Sequence, residues 1–263
     1  MKKYKRLFSN FIQMNLAYRE NFFAELVMRS LGFFIMIFLW KAVYAQRTSI
    51  QGFSFNELLT YFLIVEVFRH LLEAKTFLEI KEGVQKGTIA NYLLLPIDSI
   101  KIYFSRTLAR SILSFVFFIV PVLFLIYGTK IFVLPPSIWY SLMTIGMGII
   151  AMFMSLLLYT IFGSIAFWTV ETGNIIWAFN FIVMFLAGKM IPLQFMPGLI
   201  KTLVGYSPLA SLFNLPATLY LGKLSYTEAL IQFGVQIGWL LILYLLLRCI
   251  WRKGLRRMEL VGG

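Results

Sequence analysis

From Ile131 to Val170 the chain runs 40 residues without a charged side chain. A helix of about 20 apolar residues already crosses roughly 30 Å of hydrocarbon, so a run of this length points to a membrane rather than to a water-soluble core. Pro135 and Pro136 punctuate its start and no turn signal divides the rest, which predicts one long helix from about Ser137 to Trp168. Two further runs are of spanning length: 19 uncharged residues separate Arg110 from Lys130, and 19 separate Glu228 from Arg248. Another helix is expected from about Asn174 to Ile191, ending at Lys189, Pro192 and Pro197. The first apolar run, about Phe22 to Tyr44, holds Glu25 and Arg29 near one end and Lys41 near the other, where long side chains reach the interface. The sixth run, Leu58 to Leu72, is apolar apart from Glu66, Arg69 and His70 and must face protein or water if it crosses. The expected fold class is an all-α polytopic membrane protein of six transmembrane helices in a single domain, residues 1–263.

Composition agrees, with 60% hydrophobic residues and 13% charged. A net charge of +13 raises nucleic acid as a partner, but the Lys and Arg residues lie between the apolar runs and form no binding face, so none is expected. Their distribution instead gives orientation. Lys2, Lys3, Lys5, Arg6 and Arg19 precede the first span, Lys75, Lys81, Lys86, Lys101 and Arg106 lie between the second and third, and Arg248, Arg252, Lys253, Arg256 and Arg257 follow the last. The alternate connections are poorer, so both termini are expected in the cytoplasm, which needs an even number of spans. Val43-Tyr44-Ala45 has the look of a signal-peptide cleavage site, but that leader would be far too long and would contain Glu20, Glu25 and Arg29.

One cysteine, Cys249, leaves no internal disulfide framework and no cysteine-rich metal site. With a single histidine and a single aspartate, the chain offers no HExxH pair and no pair of catalytic aspartates. Neither a metal site nor side-chain chemistry is expected.

Three segments outside the spans carry information. Tyr4, Leu7, Phe8, Phe11 and Ile12 form an apolar stripe opposite Lys2, Lys3, Lys5 and Arg6, which reads as an interfacial amphipathic helix over residues 1–20; a basic tail that merely sets orientation is the alternative. Residues 73–106 alternate charge (Glu73, Lys75, Glu79, Lys81, Glu82, Lys86) and then turn apolar from Ile89 to Ile97, with bends at Gly83, Gly87 and Pro96. Such a segment either docks into a partner, the reading preferred here, or packs on its own bundle. Residues 192–222 carry Pro192, Pro197, Pro208 and Pro216 among apolar residues, too apolar for an exposed loop and too broken for a span; short helices dipping into the outer leaflet, as a cap over a path, fit best.

Together these features resemble the type-2 ATP-binding-cassette (ABC) permease family, and within it the small permeases of bacterial exporters. The match rests on Gly87-Thr88-Ile89-Ala90-Asn91-Tyr92-Leu93-Leu94-Leu95-Pro96-Ile97 after the second span and on Gly188, Pro192-Leu193, Pro197, Pro208, Pro216 and Gly222 after the fifth. The resemblance implies a permease of a bacterial inner membrane that pairs with a second permease, a copy or a paralogue. It also implies a re-entrant helical hairpin between the fifth and sixth helices. A cytoplasmic ABC ATPase would engage the segment after the second span, with Glu79, Glu82, Gly83, Gly87, Asn91, Leu94 and Pro96 in or near the contact. No GxxxxGK[ST] occurs, since Gly188-Lys189 and Gly222-Lys223 are followed by the wrong residue, so ATP and Mg are expected on the partner and no cofactor on this chain.

Glu66 and Arg69 are three apart and share a helix face, where they either pair with each other or, with His70, serve transport. Gly234 and Gly238 form a small-xxx-small pair suited to close helix contact. Two other classes share the span count: an intramembrane lipid-modifying enzyme or protease using Glu66 and His70, and a non-catalytic membrane anchor, which gives no reason for a docking loop or an apolar cap.

Overall fold

A computed structural model of the chain describes residues 8–14, 19–72, 76–94, 98–129, 132–169 and 172–261. Residues 8–14 are helical (α1). Helix α2 (Arg19–Val43) is followed by a minute antiparallel hairpin, β1 (Ser49–Ile50) and β2 (Phe53–Ser54), in which Ile50 faces Phe53. Its two-residue turn, Gln51-Gly52, has both φ angles positive (48° and 77°), which suits the twist of a tight hairpin. Then follow α3 (Phe55–Leu72), α4 (Thr76–Gln85), α5 (Ile89–Leu93), α6 (Ser99–Thr129), α7 (Ile138–Ser164), α8 (Gly173–Leu186), α9 (Gly198–Gly205), α10 (Asn214–Tyr220) and α11 (Tyr226–Val261), with 3-10 turns at Ile165–Phe167 and Leu193–Phe195. The protein is a helical membrane protein; the hairpin is its small exception among the described residues.

Among the described residues three helical stretches are long and apolar enough to cross a bilayer: Ser99–Ile119, Ile138–Phe167 and Tyr226–Arg257. The other expected spans differ in instructive ways. α3 owes its place to shielding, because most of its residues are buried, Glu66 and His70 included. α8 has 14 residues rather than the 18 expected from Asn174 to Ile191, about 21 Å of helix. It stops early because the chain reverses at Gly188, whose φ is +76° and whose backbone passes so close to Tyr61 and Asn214 that a Cβ would lie 2.5 Å from the Tyr61 hydroxyl. α6 begins at Ser99, seven residues before Arg106, where the connecting segment was expected to end, because Asp98 caps it, its Oδ1 accepting from the Ile100 N–H at 3.0 Å. Of the amphipathic helix expected over residues 1–20, only residues 8–14 and the start of α2 fall among the described residues, and Tyr4 and Leu7 lie outside them.

α7 is the axis of the bundle. Thr144, Met147, Ala151, Met154, Thr160 and Gly163 are all buried along it, and α3, α4, α10 and α11 pack around them. Close approach is arranged by glycine: a Cβ on Gly148 would lie 2.1 Å from the Phe68 ring of α3. Gln236 of α11 bridges two neighbours, its Nε2 donating to the Met147 carbonyl at 3.2 Å and the Ser211 carbonyl at 3.0 Å. Gly234 and Gly238 have open space around them, so their small-residue pair makes no close helix contact among the described residues. Outward faces stay apolar: Met28, Ile35 and Phe38 on α2, Ile138, Leu142 and Ile145 on α7, and Leu230, Leu241 and Leu245 on α11 are exposed. A folded surface this apolar suits hydrocarbon.

Candidate functional site

The bundle has two ends. At one, α4 crosses the foot of α7. Phe77 and Ile80 are buried and lie against Gly163, where a Cβ would sit 3.1 Å from the Phe77 Cα and 3.2 Å from the Ile80 side chain. Polar pairs add to this: Thr76 and Thr107 share a hydroxyl hydrogen bond of 2.8 Å, and Glu79 forms an ion pair with Arg106 at 3.4 Å. Gly83 also faces inward, with room for no Cβ beside the Tyr103 hydroxyl at 2.9 Å. The chain then turns at Gly87 (φ +68°) into α5, whose Ile89 is fully buried and whose Tyr92 ring meets Tyr103 edge-on at 5.5 Å.

The seven residues expected in a docking segment therefore divide. Glu79 and Gly83 hold α4 to its own bundle, whereas Glu82, Gly87, Asn91 and Leu94 face outward, Leu94 being 84% exposed. Glu82 and Lys86 pair across one turn at 3.1 Å in solvent. Pro96 lies outside the described residues. The apolar run from Ile89 thus serves two purposes: Ile89 and Tyr92 pack internally, and Leu94 is presented.

At the other end, residues 187–222 fold over α3 and α7. Asn214 organises them: its Oδ1 accepts the Leu193 N–H at 3.0 Å, its own N–H donates to the Ala187 carbonyl at 3.0 Å, and Tyr61 of α3 lies 3.1 Å from Oδ1 while donating to the Gly188 carbonyl at 2.6 Å. Pro192 precedes the 3-10 turn at Leu193–Phe195, and Pro197 is the N-cap of α9, its carbonyl accepting the Lys201 N–H at 3.0 Å. Pro208 sits in the turn after α9; Pro216 lies in the first turn of buried α10, and its carbonyl accepts from Thr144 at 3.5 Å. Gly222 reverses the chain with φ +68°, and a Cβ there would lie 2.5 Å from Pro136. α10 is buried between α3 and α7, while α9 buries none of its residues and exposes Leu199, Leu203 and neighbouring Tyr206.

Lys223 closes this end. It contacts Glu57 in an ion pair, donates to the Gly52 carbonyl at 2.7 Å and lies 5.0 Å from the Phe53 ring centroid. Tyr44, beside the same group, donates its hydroxyl to the Phe53 carbonyl at 3.0 Å. Burial pushes the Tyr220 hydroxyl up to about 12.

Sequence reasoning passed over Glu57, Tyr61, Tyr103, Gly163 and Asn214. One signal was present: Ser54-Phe55-Asn56-Glu57 and Ser225-Tyr226-Thr227-Glu228 are both capping boxes. In each, the glutamate carboxylate accepts the serine N–H (2.7 and 2.8 Å) and the serine hydroxyl accepts the glutamate N–H (3.3 Å in both). Between the two ends, Glu66 contacts Arg69 Nη2 and lies 3.7 Å from His70 Nε2, and the His70 ring stacks on Phe118 at 4.1 Å. The three polar residues of α3 thus form one local cluster.

Among the described residues no group of three His, Cys, Asp or Glu is placed to hold a metal. A helical bundle with apolar outer faces, a docked crossing helix at one end and a folded-in segment at the other defines a polytopic membrane protein. The family model for ABC-2 family transporter proteins matches residues 31–262, and the chain belongs to that family. Membership makes it a membrane component of an ABC transporter, a class that works with cytoplasmic ABC ATPases, rather than an enzyme. A comparison with curated protein sequences found no match.

Proposed function

We propose that the chain is the permease subunit of an ABC exporter in a bacterial plasma membrane, with six crossings (α2, α3, α6, α7, α8 and α11) and both termini in the cytoplasm. Two permeases, copies or paralogues, enclose the path. A separate ATPase binds ATP and Mg and engages α4–α5, and residues 187–222 form a re-entrant cap on the opposite side. The observation that carries this reading is the division of α4–α5: one edge is fixed to the feet of α6 and α7 through Phe77, Ile80 and Gly83, and the other presents Glu82, Gly87, Asn91 and Leu94. A lever needs both. A force applied to the exposed edge is delivered to α7, which touches α3, α10 and α11, so the two ends can be biased together between two arrangements.

The test is co-purification and coupling. Glu82→Lys should leave the permease folded and in the membrane, and Gly87→Trp should add only the local strain of a non-glycine residue at φ +68°, while both lower ATPase retention and uncouple hydrolysis from transport. Cysteine labelling at Asn91 from outside intact cells, or full transport after replacing residues 85–94 with a Gly-Ser linker, would overturn the reading.

A further inference from the structure

α11 continues beyond its apolar part, and the change occurs along one face. Leu241, Tyr244 and Leu245 are exposed apolar residues. Arg248, Cys249, Arg252, Lys253 and Arg256 follow at three- and four-residue spacings and, with Tyr244 and Leu245, line an open hollow of about 530 Å³. A second hollow of about 260 Å³ shares Arg248 and Arg252 and is walled by Asp98, Ser99 and Trp251. Arg248 is already engaged, donating to Asp98 at 2.8 Å. Arg252, Lys253 and Arg256 are exposed, and no carboxylate among the described residues is paired with them. Three cations with no carboxylate partner among the described residues therefore fall within about 6 Å of helix rise, directly below an exposed apolar strip.

We propose that this face binds an anionic phospholipid, with the acyl chains along Leu241 and Leu245 and the phosphate headgroup held by Arg252, Lys253 and Arg256. The complementarity is of two kinds. Apolar and basic surfaces succeed one another along a single helix face, as tails and headgroup do in a lipid. The guanidinium groups offer paired donors to phosphate oxygens, which a soluble acidic protein surface would use equally, but the adjoining apolar strip favours the lipid. Orientation alone would explain basic residues near a helix end, but not their alignment with the exposed apolar strip. The inference needs only that α11 spans the membrane and does not rest on the ATPase-coupling role of α4–α5.

The full-length protein reconstituted in phosphatidylcholine nanodiscs containing a minor fraction of phosphatidylglycerol, then examined by native mass spectrometry, should retain phosphatidylglycerol preferentially. The triple variant R252Q/K253Q/R256Q should lower that preference at least about tenfold, R252K/R256K, which keeps the charge but gives up the paired guanidinium donors, should lower it by less than the triple variant, and K41Q/R47Q/K201Q, which removes three exposed cations elsewhere, should retain it. All three altered side chains are exposed, so the fold should survive, and R256Q alone should show a smaller loss in the same direction. Equal retention of both lipids by the wild type, or unchanged preference in the triple variant, would overturn the assignment. Displacement of the lipid by inorganic phosphate alone would transfer the site to soluble anions. Loss of ATPase binding in the triple variant without any wild-type lipid preference would transfer it to a protein. Failure of the coupling reading would show instead in the Glu82 and Gly87 variants.

Discussion

The end of the bundle that carries the β-hairpin is held by polar groups that each address a particular backbone atom. Asn214 ties Ala187, Leu193 and α10 together, Tyr61 fixes Gly188, and Lys223 joins Gly52 to Glu57. The α4 end combines shape, with Phe77 and Ile80 against Gly163, Phe167 against Gly254 and Tyr103 against Gly83, with side-chain pairs, Thr76 with Thr107 and Glu79 with Arg106, that address no backbone atom. Directed hydrogen bonds fix one geometry and lose most of their value when it shifts, whereas an apolar contact over glycine is non-directional and tolerates sliding. The proposed lever, in which the α4 end is pushed while residues 187–222 stay organised, would use the two kinds of joint in these places.

Substitutions at the two ends can break this contrast. Gly163→Leu should have the largest effect, because the nearest neighbour is the Phe77 backbone rather than a flexible side chain: a loss of about 3 kcal/mol, seen as a lower thermal unfolding midpoint in detergent, together with loss of ATPase retention. A stable, coupled Gly163→Leu protein would mean that α4 does not sit against α7. Asn214→Leu keeps the branched shape but strands the Leu193 N–H, which should cost about 2 kcal/mol and raise protease sensitivity between Pro192 and Gly222 while leaving ATPase retention intact. Equal damage to both readouts would show that the ends are not separable. Glu57→Gln removes a partly exposed ion pair while keeping an acceptor for the Ser54 N–H, so a loss of no more than about 1 kcal/mol is expected, shrinking further in high salt. Glu82→Gln, in a solvent-exposed pair, should change the unfolding midpoint by less than about 0.5 kcal/mol in equivalent stability, so any loss of ATPase retention there reports docking alone.

The outward stripe of α4–α5 shows where legibility stopped. Glu82 and Lys86 form the i,i+4 pair that helical spacing allows, but the same spacing could not tell that Gly83 points at Tyr103, because Tyr103 belongs to α6, a helix whose start at Asp98 was itself hidden in a segment read as connection. Likewise the prolines of residues 192–222 announce broken helices, but that α10 is buried and α9 exposed depends on Asn214 reaching back across 21 residues to Leu193 and on Tyr61 arriving from α3. Ser54 and Ser225 marked two helix starts in plain view, since a capping box is a local contact.

The sequence by itself determined that this chain lives in a membrane and where its longest crossings run, because the cost of burying charge in hydrocarbon is fixed by composition along each run and needs no partner to evaluate. It also determined the punctuation, since proline and glycine act on their own backbone. Only the tertiary structure decided which polar residues become joints, why α3 tolerates Glu66 inside the bundle, and which edge of α4–α5 is free. Those outcomes depend on groups more than a hundred residues apart, such as Tyr61 with Gly188 and Glu57 with Lys223, meeting within hydrogen-bond reach. No local rule encodes such a meeting; the packing of α7 against its neighbours creates it.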